Sequence, residues 1–304
     1  MMILKIFLAS LLTLTALFWP VGTQAQMPNT LLLDLNTLAS EQHLGRKSGA
    51  KTPNLSAEYI FARFDSMAAQ PSYQPFTFPA GFFSQATGHN VIAKLPCTKQ
   101  RCTDAIVLSA HYDGLGRHGE RHYPGANDNA SGVAAMLNIA HNLSTQARAR
   151  DFLFVATDAE ERGLHGAKFY ADTLDQKVAF NINLDMLAVN HRNRLFALLS
   201  PRFSDYESIL KALPSPEIQL KVVSSTRQLA RYSNNARINW HKASDHYAFY
   251  RQGIPYIYFG MGEDQHHHKI SDSIDNIDLN KYQASVELIN RFIMLLAKPT
   301  AITD

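Results

Sequence analysis

Six residues define the chemistry open to this chain. His111 and Asp113 stand in Ser109-Ala110-His111-Tyr112-Asp113, and Asp128 stands in Gly125-Ala126-Asn127-Asp128-Asn129-Ala130-Ser131-Gly132. Glu160 and Glu161 follow Thr157-Asp158-Ala159, and Asp185 closes the apolar run 179–184. Singly, each has a plain structural use: Asp128 as a helix cap, Glu160 and Glu161 as a solvated pair, Asp185 as a loop acid, His111 as a satisfied histidine. Together they share a position that solvation does not explain, because each lies at the end of an apolar run or on the segment after it. Imidazole and carboxylate are the donors that suit zinc, so the joint pattern points to a metal site.

The elements that must hold these residues are strands. The apolar runs 106–108, 152–156 and 179–184 are short and bounded by polar segments, as buried strands are. After Gly132, the residues Val133, Met136, Leu137, Ala140 and Leu143 recur at helical spacing. Strand, loop and helix therefore alternate, the signature of a mainly parallel sheet covered on both faces. Open sheets of this kind place their chemistry outside the carboxyl ends of the strands. The expected fold is a three-layer α/β/α arrangement around a mixed, mostly parallel sheet.

Elsewhere the pattern is plainer. Ser56 is expected to cap a helix carrying Ile60, Phe61, Phe64 and Met67 on one face. Strands at 90–95 and 105–109 are read as neighbours joined by the loop between Cys97 and Cys102. Weaker signals place a helix at 206–213 and a strand at 218–223. Ser244-Asp245-His246 opens a short helix, 254–259 reads as a strand, and Tyr282, Val286, Ile289, Phe292, Ile293 and Leu296 form a terminal amphipathic helix. Residues 26–53 show little beyond Leu31-Leu32-Leu33 and are expected to be an extended arm.

A chain of 304 residues with 46% hydrophobic content supports one large core, so 26–304 are expected to form one domain. Lys5 precedes the apolar run 6–18, which is shorter than the roughly 18 residues of a membrane span. Pro20, Gly22 and Thr23-Gln24-Ala25 follow, so 1–25 read as a secretory signal peptide and the mature chain as periplasmic or secreted, without stable membrane insertion. In an oxidising compartment the two cysteines, Cys97 and Cys102, are expected to form a disulfide rather than bind metal. Net charge is only +3, with no basic stripe, which argues against a nucleic-acid partner.

Read in order, the motifs resemble the zinc aminopeptidases and related exopeptidases of peptidase family M28. The matching segments are His111-x-Asp113, Gly125-Ala126-x-Asp128-Asn129-x-Ser131-Gly132, Glu160-Glu161-x-Gly163-Leu164-x-Gly166, Asn183-x-Asp185-Met186, Ser244-Asp245-His246 and His268-x-x-x-Asp272. The resemblance implies two zinc ions sharing Asp128, with His111 and Asp185 completing one site and Glu161 and His268 the other. His266, His267 and His268 are adjacent; the family pattern places an acid four residues after the ligand histidine and further acids at steps of three, so the resemblance, through Asp272, Asp275 and Asp278, implies His268, with His267 as the alternative. Asp113 would accept the second ring N–H of His111. Glu160 would act as general base, taking a proton from the attacking water and returning it to the leaving amine. His241 lies where several relatives carry a Tyr or His that hydrogen-bonds the oxyanion. A cis peptide between Asp128 and Asn129 is also implied.

The activity so implied is hydrolysis of amide bonds at the amino terminus of peptide substrates. The rival on the same fold is a single-zinc glutaminyl-peptide cyclase. Against it, Glu160-Glu161 runs without insertion into Arg162-Gly163-Leu164-His165-Gly166, and His267 stands where cyclases typically carry a tryptophan. A non-catalytic binding domain would be expected to lack ligands or the base. A serine hydrolase has no Gly-x-Ser-x-Gly elbow here. Ser244-Asp245-His246 suits a helix cap and a packed histidine as well as a place near the metals. The aromatic residues Trp240, Tyr247, Phe249 and Tyr250 suit core packing or a specificity pocket.

Overall fold

The computed structural model describes residues 30–298 except 50, 52, 189–192, 202 and 234–237, so the expected signal peptide lies outside the described residues. In chain order come helices α1 (Thr30–Leu38) and α2 (Leu55–Asp65), then the hairpin of β1 (Ser72–Pro79) and β2 (Gln85–Leu95). Strand β3 (Thr103–His111), the two-residue strands β4 (Arg117–His118) and β5 (Arg121–His122), helix α3 (Ser131–Ser144), strand β6 (Arg150–Thr157) and helix α4 (His165–Thr173) follow. Next are strands β7 (Val178–Leu184) and β8 (Arg194–Leu199), helix α5 (Glu207–Ala212), strand β9 (Gln219–Val223) and helices α6 (Thr226–Ser233) and α7 (His246–Arg251). Strand β10 (Tyr256–Gly260) and helix α8 (Leu279–Ala297) end the series.

One sheet takes the order β1-β2-β6-β3-β7-β10-β8-β9. Its inner strands β6, β3, β7 and β10 are parallel, while β2 meets β6 and β8 meets β10 in antiparallel fashion. Successive side chains of a strand point to opposite faces. Accordingly Ile106, Leu108, Phe152 and Phe154 enter the core under α1, α2, α3 and α8, whereas Val107, Leu153 and Val155 pack toward α4 and α7. Burial on both faces is why these runs are unbroken in the sequence. Each fully buried Phe or Leu contributes roughly 1.5–3 kcal/mol.

Three expectations change. Residues 26–53 are not an extended arm where described: Leu31, Leu35 and Leu38 form the buried stripe of α1 against α3, and a 3-10 turn spans Glu41–Arg46. The cap of α2 is Asn54, whose side chain accepts from the Ala57 amide at 2.9 Å. Ser56 instead is buried beside His43 Nδ1, 2.7 Å away. Finally, β2 and β3 are not paired, because β6 lies between them. The Cys97–Cys102 disulfide is present, but it closes a loop crossing the start of β6. There the amides of Thr98 and Thr103 donate to Arg148 and Ala149 carbonyls.

Arg46, at the end of that 3-10 turn, is buried. Its guanidinium donates to the carbonyls of Tyr112 (2.7 Å), Leu38 (2.9 Å), Pro124 (2.6 Å) and Gly125 (2.7 Å). It thereby ties the amino-terminal segment to the end of β3 and to the loop before α3. At the far side of the sheet, His246 opens α7 with its ring over Tyr256 and Tyr258, at 4.4 and 5.1 Å, and Nε2 donating to the Trp240 carbonyl at 3.0 Å.

Two outcomes are expected. Arg46→Met strands four carbonyls, two of them buried and two partly buried, so urea titration should show a loss of about 3–5 kcal/mol; a loss under about 1 kcal/mol would show that the clamp does not matter. Burial lowers the His246 pKa to about 3, against 6.5 for the ordinary imidazole. The unfolded ring therefore gains a proton as the pH falls below 6.5 while the folded one does not. The stability present above that pH is lost progressively toward pH 3. Between pH 6.5 and 5 the wild type should lose about 2 kcal/mol more than His246→Gln in parallel urea titrations; identical profiles would refute this.

Candidate metal centre

The carboxyl ends of the inner strands converge. His111 ends β3, Asp185 follows β7, and Asp128 stands in the turn that leads into α3. His111 Nε2 lies 3.2 Å from Asp128 Oδ1 and 3.5 Å from Asp185 Oδ1. The other oxygen, Asp128 Oδ2, lies 3.2 Å from Nε2 of both His267 and His268. Glu161 Oε2 is 3.3 Å from His268 Nε2. Asp128 thus offers one oxygen to each of two donor groups, His111–Asp128–Asp185 and Asp128–His267–His268, each with its ligand atoms within 4.8 Å of one another. Contact with Glu161 favours His268 over His267 for the position read from the sequence.

The electrostatics fit a cation. Asp185 Oδ1 is buried without a hydrogen-bond partner, an expensive state for a carboxylate that a metal would relieve. Burial alone disfavours a charged His111, yet Glu160, Asp113, Asp128 and Asp185 raise its pKa well above the ordinary value. Hydrogen bonds to Asp128 and Glu161 push His268 up to about 10. Against the cost of burial, His111, His267 and His268 hold Asp128 well below the usual carboxylate range.

Local chemistry explains the motif around Asp128. Asn129 Oδ1 accepts from the Gly132 and Met186 amides at 2.9 and 3.2 Å, and its Nδ2 donates to the Leu184 carbonyl at 2.9 Å. Ser131 Oγ and Asn127 Oδ1 accept from the amides of Leu187 and Ala188. These bonds dock the turn onto the segment after β7, bringing Asp128 beside Asp185. A side chain at Gly132 would come within 2.4 Å of both the Leu184 carbonyl and Asn129 Oδ1. Asp272 accepts from the amides of Asn127 (2.8 Å) and Asp128 (3.0 Å), which accounts for its spacing from His268. The Asp128–Asn129 peptide is cis, in line with the resemblance.

Asp113 serves differently from the expectation. Its carboxylate is 3.7 Å from His111 Nδ1, beyond hydrogen-bond reach, and its backbone carbonyl takes that place at 3.2 Å. The bond still leaves Nε2 free for a metal. The carboxylate accepts instead from the amides of Glu160 (2.9 Å) and Glu161 (3.3 Å) and from Ser48 Oγ (2.9 Å), fixing the segment after β6. Close approach by that segment requires Gly166, where a Cβ would meet the Asp158 carbonyl and Asn90 Oδ1 at 2.3 Å. Burial, with Asp245, Asp185 and Glu161 nearby, raises the Glu160 pKa well above the ordinary carboxyl value, opposed by His111.

Glu160 faces a cleft of about 200 Å³ whose lining includes both donor groups and the apolar wall of Met186, Ile238, Trp240 and Tyr258. His241 is not part of that lining. Its Nδ1 is 3.1 Å from the Tyr256 hydroxyl, and its ring packs on Tyr247 and Tyr250, so it does not stand where an oxyanion would form. Of the aromatic cluster, Trp240 reaches the cleft and Phe249 is core. Tyr258 escaped the sequence reading, although its place near the carboxyl end of an inner strand was a usable signal. Ser244 accepts from Asn183 Nδ2 at 2.7 Å, and Thr157 Oγ1 donates to Asp245, so this motif braces the strand ends from below.

The chain is 26% identical over 255 residues to aminopeptidase YwaD of Bacillus subtilis (strain 168), covering 78% of this chain and 52% of that protein, so it spans about half that relative's length. Its fold is similar to that of the aminopeptidase from Aneurinibacillus sp. strain AM-1, with TM-score 0.71, 17% identity and coverage of 89% and 94% of the two chains. It is also similar to Porphyromonas gingivalis glutaminyl cyclase, with TM-score 0.64, 18% identity and coverage of 88% and 97%. The sequence profile described as peptidase family M28 matches residues 90–293, and the chain belongs to that family.

Proposed function

We propose that this chain is an exported zinc aminopeptidase that hydrolyses the amide bond at the amino terminus of peptides. The observation that carries the reading is the division of Asp128 between two imidazole-containing donor groups, with Glu160 beside both. His111, Asp128 and Asp185 would hold one ion, and Asp128, Glu161 and His268 the other. When bound, zinc supplies Lewis acidity that polarises the scissile carbonyl and makes water a stronger acid. Glu160, adjacent to a ligand yet directed into the cleft, takes the proton from the attacking water and delivers it to the leaving amine. Asp113 positions Glu160 through its backbone amide. Met186, Ile238, Trp240 and Tyr258 exclude water from one side of the cleft and receive an apolar part of the substrate. Export is supported by the composition of residues 1–25 and by the Cys97–Cys102 disulfide. Among the described residues no helix is long and apolar enough to cross a membrane.

Two experiments test this. Glu160→Gln keeps shape but removes the basic carboxylate, so metal content should persist while kcat falls about 10²–10⁴-fold. Glu161→Gln should lower zinc content as well. Loss of zinc by Glu160→Gln with retention by Glu161→Gln would exchange the two roles. Elemental analysis of loaded protein, alongside turnover of aminoacyl and glutaminyl substrates, should give two zincs per chain and amide hydrolysis. One zinc with ring closure of amino-terminal glutamine would establish the cyclase instead.

A further inference from the structure

Three adjacent histidines enter the site region, and the reading above uses only one. His266 turns away, its Nδ1 lying 3.0 Å from Ser271 Oγ. His267 does not. Its Nε2 is 3.2 Å from Asp128 Oδ2, the same oxygen that His268 faces at 3.2 Å, and the two rings lie 3.8 Å apart, centroid to centroid. Its side chain is also the more buried, 22% exposed against 47% for His268. Behind it, Glu263 Oε1 lies 3.1 Å from Nδ1. A carboxylate behind an imidazole holds the proton on the near nitrogen, directs the lone pair of the far nitrogen forward and raises its basicity, the arrangement that supports metal-ligating histidines. His267 therefore has both a donor atom aimed at the shared carboxylate and a group that fixes its tautomer.

We infer that His267, positioned by Glu263, is an additional ligand to the ion held by Asp128, Glu161 and His268. This rests on the proposed two-zinc reading. The ion then has four protein donors, Asp128, Glu161, His267 and His268, whereas the ion at His111, Asp128 and Asp185 has three. Four protein donors make the closed set typical of firmly retained zinc, and three leave a position open. The two ions consequently differ in affinity, with the four-donor ion the harder to remove. A tryptophan or any other non-ligand at 267 would abolish the difference.

Zinc affinity, read by competition with a chromophoric chelator, tests the inference on the folded protein without reference to activity. The measurement is made on wild type, His267→Gln, His268→Gln and Glu263→Gln, with circular dichroism of each apo-protein confirming the fold. The wild type should release its two ions in separate steps. His267→Gln should keep both but weaken the tighter by at least about tenfold, and Glu263→Gln should weaken the same ion by about 10-fold or more through the loss of its support. His268→Gln, which likewise leaves three donors, should keep both ions but weaken the same one by at least about tenfold. Visible spectra of the cobalt-loaded protein should change with His267→Gln, because one nitrogen donor is lost. Unchanged affinities in His267→Gln overturn the inference. So does loss of an ion from His267→Gln with full retention by His268→Gln, since His267 would then replace His268 rather than join it. A wild type that binds one zinc defeats the two-zinc reading, and His267→Gln still decides whether His267 ligates that ion.

Discussion

The arrangement depends on one buried carboxylate. Asp128 presents Oδ1 to His111 and Oδ2 to His267 and His268, in a place only 7% exposed to solvent. A carboxylate taken out of water is stable only with compensating positive charge or hydrogen bonds. Much of the surrounding structure exists to keep it there. Asp272 binds the amides of Asn127 and Asp128, Arg46 holds the preceding carbonyls of Pro124 and Gly125, and Asn129 pins the turn to the end of β7. Together these bonds hold the acid between its two donor groups.

The parallel core supplies the remaining geometry. Because β6, β3, β7 and β10 run the same way, their following segments emerge on one edge, and residues far apart in the chain meet there. His111 and Asp185 end adjacent strands, and Glu160 and Glu161 follow the next strand over. The histidine segment after β10 closes the fourth side. Rigid strand ends place donors more reproducibly than free loops, since each strand is held by neighbours on both sides and by helices on both faces.

The same crowding organises the segment after β6. Asp113 does not touch His111 with its carboxylate; it uses that carboxylate to bind two successive amides, those of Glu160 and Glu161. Both acids line the cleft, and Glu161 also meets His268 at 3.3 Å. A single buried acid thus fixes the backbone that carries both side chains.

Much of this was legible in the sequence. Apolar runs 106–108, 152–156 and 179–184 announce strands because burial on both faces demands continuous hydrophobicity, and a polar acid or histidine just beyond each run announces the site edge. Helical spacing from Val133 to Leu143 did the same for α3. What the sequence could not determine was everything fixed by contact between distant segments. Nothing local shows that β6 inserts between β2 and β3, since strand neighbours are chosen by hydrogen bonds made across the whole chain. Leu31, Leu35 and Leu38 become a helical stripe only because α3 is there to cover them. The partners of Arg46 lie as far away as Gly125, and His241 is turned from the cleft by Tyr256. Residue type and spacing determined which groups could bind a metal; only tertiary packing decided which way each one faces, because a side chain's direction follows from what surrounds it.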